Sequence, residues 1–222
     1  MNLKLGDTRL IIAEARKHGL LRNQLAYVLA TAYHETAHTM KPVRETLAKT
    51  DAKAKEILTK AWKAGKLPWV KSNYWSGGYL GRGYVQLTHK ANYERAGREL
   101  GVDLVNNPSL ALEADIAAQI IVLGMRDGWF TAKELADYIT LQSSNFVSAR
   151  RIVNGTDKAD LIAGYARKYD DLLRAEGYGV TPADKPAPKP EIGIPITKPQ
   201  PSTGWLAALI KVISSIFKRN TA

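Results

Sequence analysis

Apolar residues recur at helical spacing along most of the chain and divide it into short amphipathic segments. Leu10, Ile11 and Ala13 alternate with Glu14, Lys17 and His18, with Asp7 placed to cap the segment and Gly19 to end it. Leu25, Val28, Leu29 and Ala32 continue the pattern after Asn23, the expected cap of a second helix. Pro42 disfavours helical geometry at Lys41, so this helix is expected to end near Met40. Residues 50–64 read as a third helix, around Ala52, Ile57, Leu58 and Trp62. Further helices are predicted at 89–101, 109–127, 131–140, 143–152 and 158–175, with Gly101 as a stop and Asn106-Asn107-Pro108 as a turn.

The pattern breaks between residues 65 and 87. Gly65, Pro68, Gly77, Gly78, Gly81 and Gly83 alternate there with Trp69, Tyr74, Trp75, Tyr79 and Tyr84. This texture predicts loops and short strands, with room for a small hairpin. Residues 1–180 therefore read as one mainly α domain with a single irregular aromatic region.

After residue 180 the pattern changes again. Seven of the ten prolines fall in 181–203, mixed with lysines, which predicts an extended, semi-rigid linker. In 204–222, Leu206, Leu209, Ile210, Ile213, Ile216 and Phe217 share one helical face between Trp205 and the Lys218-Arg219 end. The apolar run is shorter than the roughly 20 residues a bilayer span needs. It fits an interfacial amphipathic helix whose partner is an anionic membrane or outer-membrane lipid.

Charge narrows the partners. The net charge is +11 over 222 residues, of which +4 lies in the tail after residue 180 and +7 in the predicted domain. Such an excess suits a polyanion: nucleic acid, anionic lipid or an acidic wall polymer. The absence of cysteine excludes a disulfide scaffold, a thiolate metal site and a cysteine nucleophile. Met1 to Asp7 contain no apolar stretch of the signal-peptide kind, so a substrate outside the cytoplasm would be reached by another exit route.

The most chemically loaded stretch is Ala32-Tyr33-His34-Glu35-Thr36-Ala37-His38, a carboxylate between two histidines on an apolar helix. Two chemistries compete for it. His34, Glu35 and His38 spell H-E-x-x-H, in which two histidines one turn apart hold zinc and the glutamate acts as base. No third ligand stands in pattern, because Lys41 and Arg44 occupy the places where one extended form of the motif has glycine and histidine. Alternatively, Glu35 is one of two carboxyl groups that cleave a glycosidic bond. Glu45 is the candidate partner. On one straight helix the two would lie about 15 Å apart, but Pro42 breaks the helix and lets the chain return. Arg44 is then placed to hold Glu45 ionised as the base, with Glu35 as the acid in a more apolar setting. The aromatic and glycine-rich region supplies flat rings that suit sugar faces, Trp75 and Tyr84 among them.

The stretch Gly81-Arg82-Gly83-Tyr84-Val85-Gln86-Leu87-Thr88-His89-Lys90-Ala91-Asn92-Tyr93 resembles the G-R-G-x-x-Q-L-[ST]-x-x-x-N-Y segment of glycoside hydrolase family 19. Gly101-Val102-Asp103-Leu104-Val105-Asn106-Asn107-Pro108, Ile152-Val153-Asn154-Gly155 and Tyr165-Ala166-Arg167-Lys168-Tyr169 resemble further family segments in the same order, and His34-Glu35-Thr36 its H-E-T. The resemblance spans roughly residues 20–175. It implies a lysozyme-like helical fold and an inverting glycosidase. Glu35 would be the general acid, Glu45 the base, and Thr88 the hydroxyl that positions the attacking water. Gln86, Asn92 and Asn154 would bind substrate, His34 would orient Glu35, and Arg44 would support Glu45. Ile162 stands about where chitinases of the family carry an arginine between the two carboxyls.

Within the family, the run His34 to Glu45 and the cationic tail resemble phage endolysins. That points to β-1,4 bonds of peptidoglycan strands as substrate. The enzyme would be made in the host cytoplasm and act at the periplasmic wall after release. A chitinase on the same fold, a zinc peptidase and a chiefly membrane-active cationic protein are the alternatives. No cofactor, metal or nucleic-acid partner is expected, and the chain is expected to be a monomer.

Overall fold

The computed structural model describes residues 1–179; the predicted linker 181–203 and terminal helix 204–222 lie outside these residues. The expected mainly α architecture is present. Six α-helices run α1 Thr8–Lys17, α2 Arg22–Glu35, α3 Asp51–Lys63, α4 Lys90–Leu100, α5 Ala114–Arg126 and α6 Ala159–Ala175.

Helix α2 is the axis of the larger core. Every residue from Leu25 to Ala32 is buried, so the helix is enclosed on all sides rather than amphipathic. Helix α6 lies along it, and α1 packs on α5 and α2. Ile11, Ile121, Ile162 and Tyr169 are among the side chains this core encloses completely. A smaller core forms separately beneath α3, from Ala54, Leu58, Ala61, Leu67, Trp75 and Leu80.

Two antiparallel two-residue strands, β1 Val43–Arg44 and β2 Arg82–Gly83, pair Val43 with Gly83 and Arg44 with Arg82. The strands join distant parts of the chain, and a further bridge between Arg82 and Leu87 closes the small hairpin expected in the glycine-rich region. Gly83 sits at φ +83°, and a Cβ there would lie 2.8 Å from the Ala111 carbonyl oxygen, so only glycine lets β2 approach the 3-10 turn Pro108–Leu112.

Three sequence expectations need correction. Helix α2 ends at Glu35, not near Met40, because Ala37, His38 and Met40 take positive φ and turn the chain before Pro42 acts. The predicted helices at 131–140 and 143–152 are 3-10 turns, Leu135–Asp137 and Ser148–Ile152, joined by a bridge between Ile139 and Ser144. Asn23 does not cap α2. Its side-chain amide instead donates to the Thr140 carbonyl and Ser144 hydroxyl, tying α2 to that bridged segment.

Candidate active site

Glu35 is the last residue of α2 and only 3% exposed. The C-terminal end of a helix is its negative pole, an unfavourable place for a carboxylate. Arg150, in the 3-10 turn Ser148–Ile152, offsets this. Its Nη1 donates to Glu35 Oε1 at 3.0 Å, and both side chains are 1% exposed. Arg150 is itself held by its Nε bond to the Asp157 carbonyl. Glu35 Oε2 has no hydrogen-bond partner among the described residues. The neighbouring His34 imidazole has its pKa lowered, chiefly by burial, so it is neutral at pH 7.

Glu45 comes from the other side. It follows β1, where Thr46 (φ 64°) and Leu47 (φ 57°) force a tight turn through left-handed backbone. Its side chain is buried, with the residue 1% exposed. Both oxygens are occupied. Oε2 accepts the Gly81 N–H at 2.7 Å, and Oε1 accepts the Tyr74 hydroxyl. The Glu45 N–H donates in turn to the Gly81 carbonyl. Burial pushes the Glu45 carboxyl up to about 7, against the opposing pull of the Gly81 and Tyr74 donors and the Arg82 charge. Burial and the adjacent carboxylate both raise the Tyr74 pKa, so its hydroxyl stays a donor.

A cleft opens at Glu35. Glu35, Gln86, Thr88, Asn92 and Asn154 line it together with Phe130 and Val153. Glu45 adjoins the same wall across Gly81. A Cβ on Gly81 would stand 2.8 Å from Gln86 Oε1, 3.3 Å from Thr88 Oγ1 and 3.4 Å from Glu45 Cβ. Gln86 adopts φ 54°, and its Nε2 donates to the Val43 and Gly83 carbonyls. Thr88 Oγ1 donates to the Gln86 carbonyl, and Asn92 Nδ2 to the Thr88 carbonyl. Asn154 Oδ1 accepts the Gly155 N–H. These amides and hydroxyls thus brace the cleft wall as well as face it.

Other expectations fail on geometry. Arg44 does not touch Glu45; its guanidinium pairs with Asp51 and caps the Ala48 and Lys49 carbonyls. Asp51 also accepts Arg82, which donates to the carbonyls of Gly78 and Leu80 and so fixes the backbone leading to Gly81. Trp75 and Tyr84 offer no ring face to a ligand, being 1% and 0% exposed. Trp75 belongs to the smaller core with its Nε1 on Thr59, and Tyr84 to the larger one with its hydroxyl on Asp7.

The H-E-x-x-H spacing also loses its helical meaning. Helix α2 stops at Glu35, and the His38 ring, at φ 70°, stacks on Tyr33 at 4.4 Å. Among the described residues no three His, Asp or Glu side chains converge as a metal site would need. The sequence reading missed Arg150 and the role of Tyr74. Each meets its carboxylate across a long stretch of chain, 115 residues for Arg150 and 29 for Tyr74, so no local spacing could reveal the pair.

Comparison with known proteins bears on the same region. The family model described as chitinase class I matches residues 21–135. Chitinase 11 of Oryza sativa subsp. japonica is 36% identical over 126 residues, 46% of this chain and 48% of that protein. The acidic endochitinase pcht28 of Solanum chilense is 46% identical over 61 residues, 25% of this chain and 22% of its own length. Acidic endochitinase Q of Nicotiana tabacum is 51% identical over 49 residues, 22% of this chain and 19% of its own length. The chain thus spans about half the length of the rice relative and less than a quarter of the other two. The match contains both carboxylates, Gln86, Thr88 and Asn92, and ends before Arg150 and Asn154.

Proposed function

The chain belongs to the chitinase class I family of glycoside hydrolases, and from that premise we propose that it cleaves the β-1,4 bonds of an N-acetylhexosamine polymer with Glu35 and Glu45. The observation that carries this reading is the placement of hydrogen-bond donors around the two carboxyls. Three of the four oxygens already accept a donor: Arg150 on Glu35 Oε1, Tyr74 and Gly81 on Glu45. Among the described residues, Glu35 Oε2 has none. That oxygen is free to carry a proton to the glycosidic oxygen, which supports Glu35 as the acid.

Glu45, once ionised, takes a proton from the water that attacks the anomeric carbon. Thr88 Oγ1 uses its proton on the Gln86 carbonyl, so towards that water it acts as an acceptor. Because the water and the leaving group stand on opposite faces of the sugar, the product anomer is inverted.

Peptidoglycan is the polymer we favour, and an endolysin the role: a muramidase-type enzyme made in the cytoplasm and released to the wall at lysis. Its support is the net charge of +11, which suits an acidic wall and does nothing for neutral chitin. A second reading, chitin hydrolysis, is favoured by the relatives' own names as endochitinases. Purified peptidoglycan and colloidal chitin, each digested and analysed by mass spectrometry for new reducing ends, separate the two. Glu35→Gln should remain folded and lose about 10²–10⁴-fold activity on the true substrate. New amino termini in place of reducing ends, or full activity in Glu35→Gln, would sink the glycosidase reading.

A further inference from the structure

Charge is not spread evenly over the described residues. Residues 49–71 hold seven lysines and two acids, a net +5, while the whole of residues 1–179 carries +7. This segment is α3 and the turn after it, the body of the smaller core. Its two acids are already engaged: Asp51 with Arg44 and Arg82, Glu56 with Lys53. Lys49, Lys60, Lys63, Lys66 and Lys71 are exposed and pair with no acid among the described residues.

The helix is built to show this charge. Ala54, Leu58 and Ala61 face the core. An open groove on the outer side is lined by Ala52, Thr59 and Ala64 together with Glu56, Lys55, Lys60 and Lys63. Small residues and a single paired acid leave room for an extended strand between lysines. The same lobe reaches the active site. Lys55 Nζ contacts the Ser76 carbonyl, two residues from Tyr74, whose hydroxyl binds Glu45.

We propose that the outer face of α3 is a docking surface for the carboxylate-bearing stems of a peptidoglycan strand whose sugars occupy the cleft. This rests on the peptidoglycan reading of the site. Clustered lysines on the lobe that also carries Tyr74 raise the local concentration of an acidic strand and slow its escape, while a neutral polymer gains nothing from them. The surface would therefore discriminate between polymers with similar sugar backbones.

The test uses the full chain carrying Glu35→Gln, so that binding is read without cleavage. Cosedimentation at low salt is measured with purified sacculi, sacculi whose carboxyls are amidated, and anionic lipid vesicles. Adding Lys60→Glu and Lys63→Glu should weaken binding to native sacculi by about tenfold or more. Amidation of the sacculi should weaken binding by the parent chain to a similar degree, and so should added salt. Unchanged binding in the double variant, equal affinity for native and amidated sacculi, or a loss confined to lipid vesicles would overturn the proposal. If the double variant fails to melt like its parent, the amidation and salt comparisons decide alone. The catalytic reading is separable, since it fails only if the unsubstituted chain releases no reducing ends from sacculi.

Discussion

Glu35 and Glu45 are the same residue type and almost equally buried, yet their two surroundings keep them in opposite ways. Glu35 ends the central helix of the larger core and has a buried guanidinium on one oxygen. Glu45 stands beside the smaller core, with no arginine among the described residues in hydrogen-bond contact and two neutral donors on its oxygens. The first sets a cation against one carboxyl oxygen, and the second sets neutral donors against both. An acid and a base acting on one bond need unlike surroundings, so that one can hold a proton while the other gives it up.

The comparison breaks most visibly at Arg150. Arg150→Ala leaves the buried Glu35 carboxyl, at the negative end of α2, without its charged partner. The expected loss is about 3–5 kcal/mol of stability, read by urea denaturation. A loss under about 1 kcal/mol would mean that water reaches Glu35 freely and that the ion pair is not what holds it.

Glu45→Gln tests the other half. Activity should fall by about 10²–10⁴-fold. Stability should move the opposite way, with a defined pH dependence. The Glu45 pKa lies at about 7 in the folded chain against 4.5 for an ordinary glutamate. Below about 4.5 both states are protonated and Glu45 exacts no penalty. As pH rises towards 7 the unfolded chain loses this proton and the folded chain retains it, so wild-type stability falls. Above about 7 the loss is complete, on the order of 3 kcal/mol at most. The glutamine variant lacks this loss, so its stability relative to wild type should rise between these limits and then level. A flat difference across that range would show that Glu45 is not desolvated as described.

These two settings were unequally legible in the sequence. The helices appear there because burial on one side imposes a helical period, and α3, α4 and α6 fall within a residue or two of their predicted limits. The segments at 131–140 and 143–152 fail because apolar residues at similar spacing also serve 3-10 turns pinned by distant hydrogen bonds, such as Asn23 to Thr140. The site residues Glu35, Gln86, Thr88 and Asn92 were visible through their resemblance to a family pattern. Their electrostatics were not. Arg44 is adjacent to Glu45 in sequence and was therefore the obvious partner, but strand pairing turns it towards Asp51. Arg150 lies far along the chain and meets Glu35 only because α6 and its preceding turn fold back on α2.

The smaller core supplies a further discrimination. If Trp75 stacked on sugar, as its place in the aromatic region suggests, Trp75→Phe would mainly raise KM. Its burial beside Leu58, with Nε1 on Thr59, predicts instead a stability loss of about 1–2 kcal/mol from the lost bond and volume, with KM unchanged. Thermal melts and steady-state kinetics on the same preparation separate the outcomes.

The finest adjustment in this comparison is the Tyr74 hydroxyl. Tyr74 donates to Glu45 Oε1 and favours the ionised form, against the burial that disfavours it. Tyr74→Phe keeps the ring that packs edge-on to Trp75 and His89 and removes only the donor. A hydrogen bond to a charged group contributes about 1.5 kcal/mol or more, equivalent to about one pH unit on the carboxyl. As Glu45 must be ionised to act as base, activity in wild type should rise with pH through about 7. In Tyr74→Phe the same limb should lie about one unit higher, with activity recovering well above it. A limb that does not move would show that Tyr74 only fills space. Activity that falls rather than rises through this range would give the proton to Glu45 and exchange the two roles.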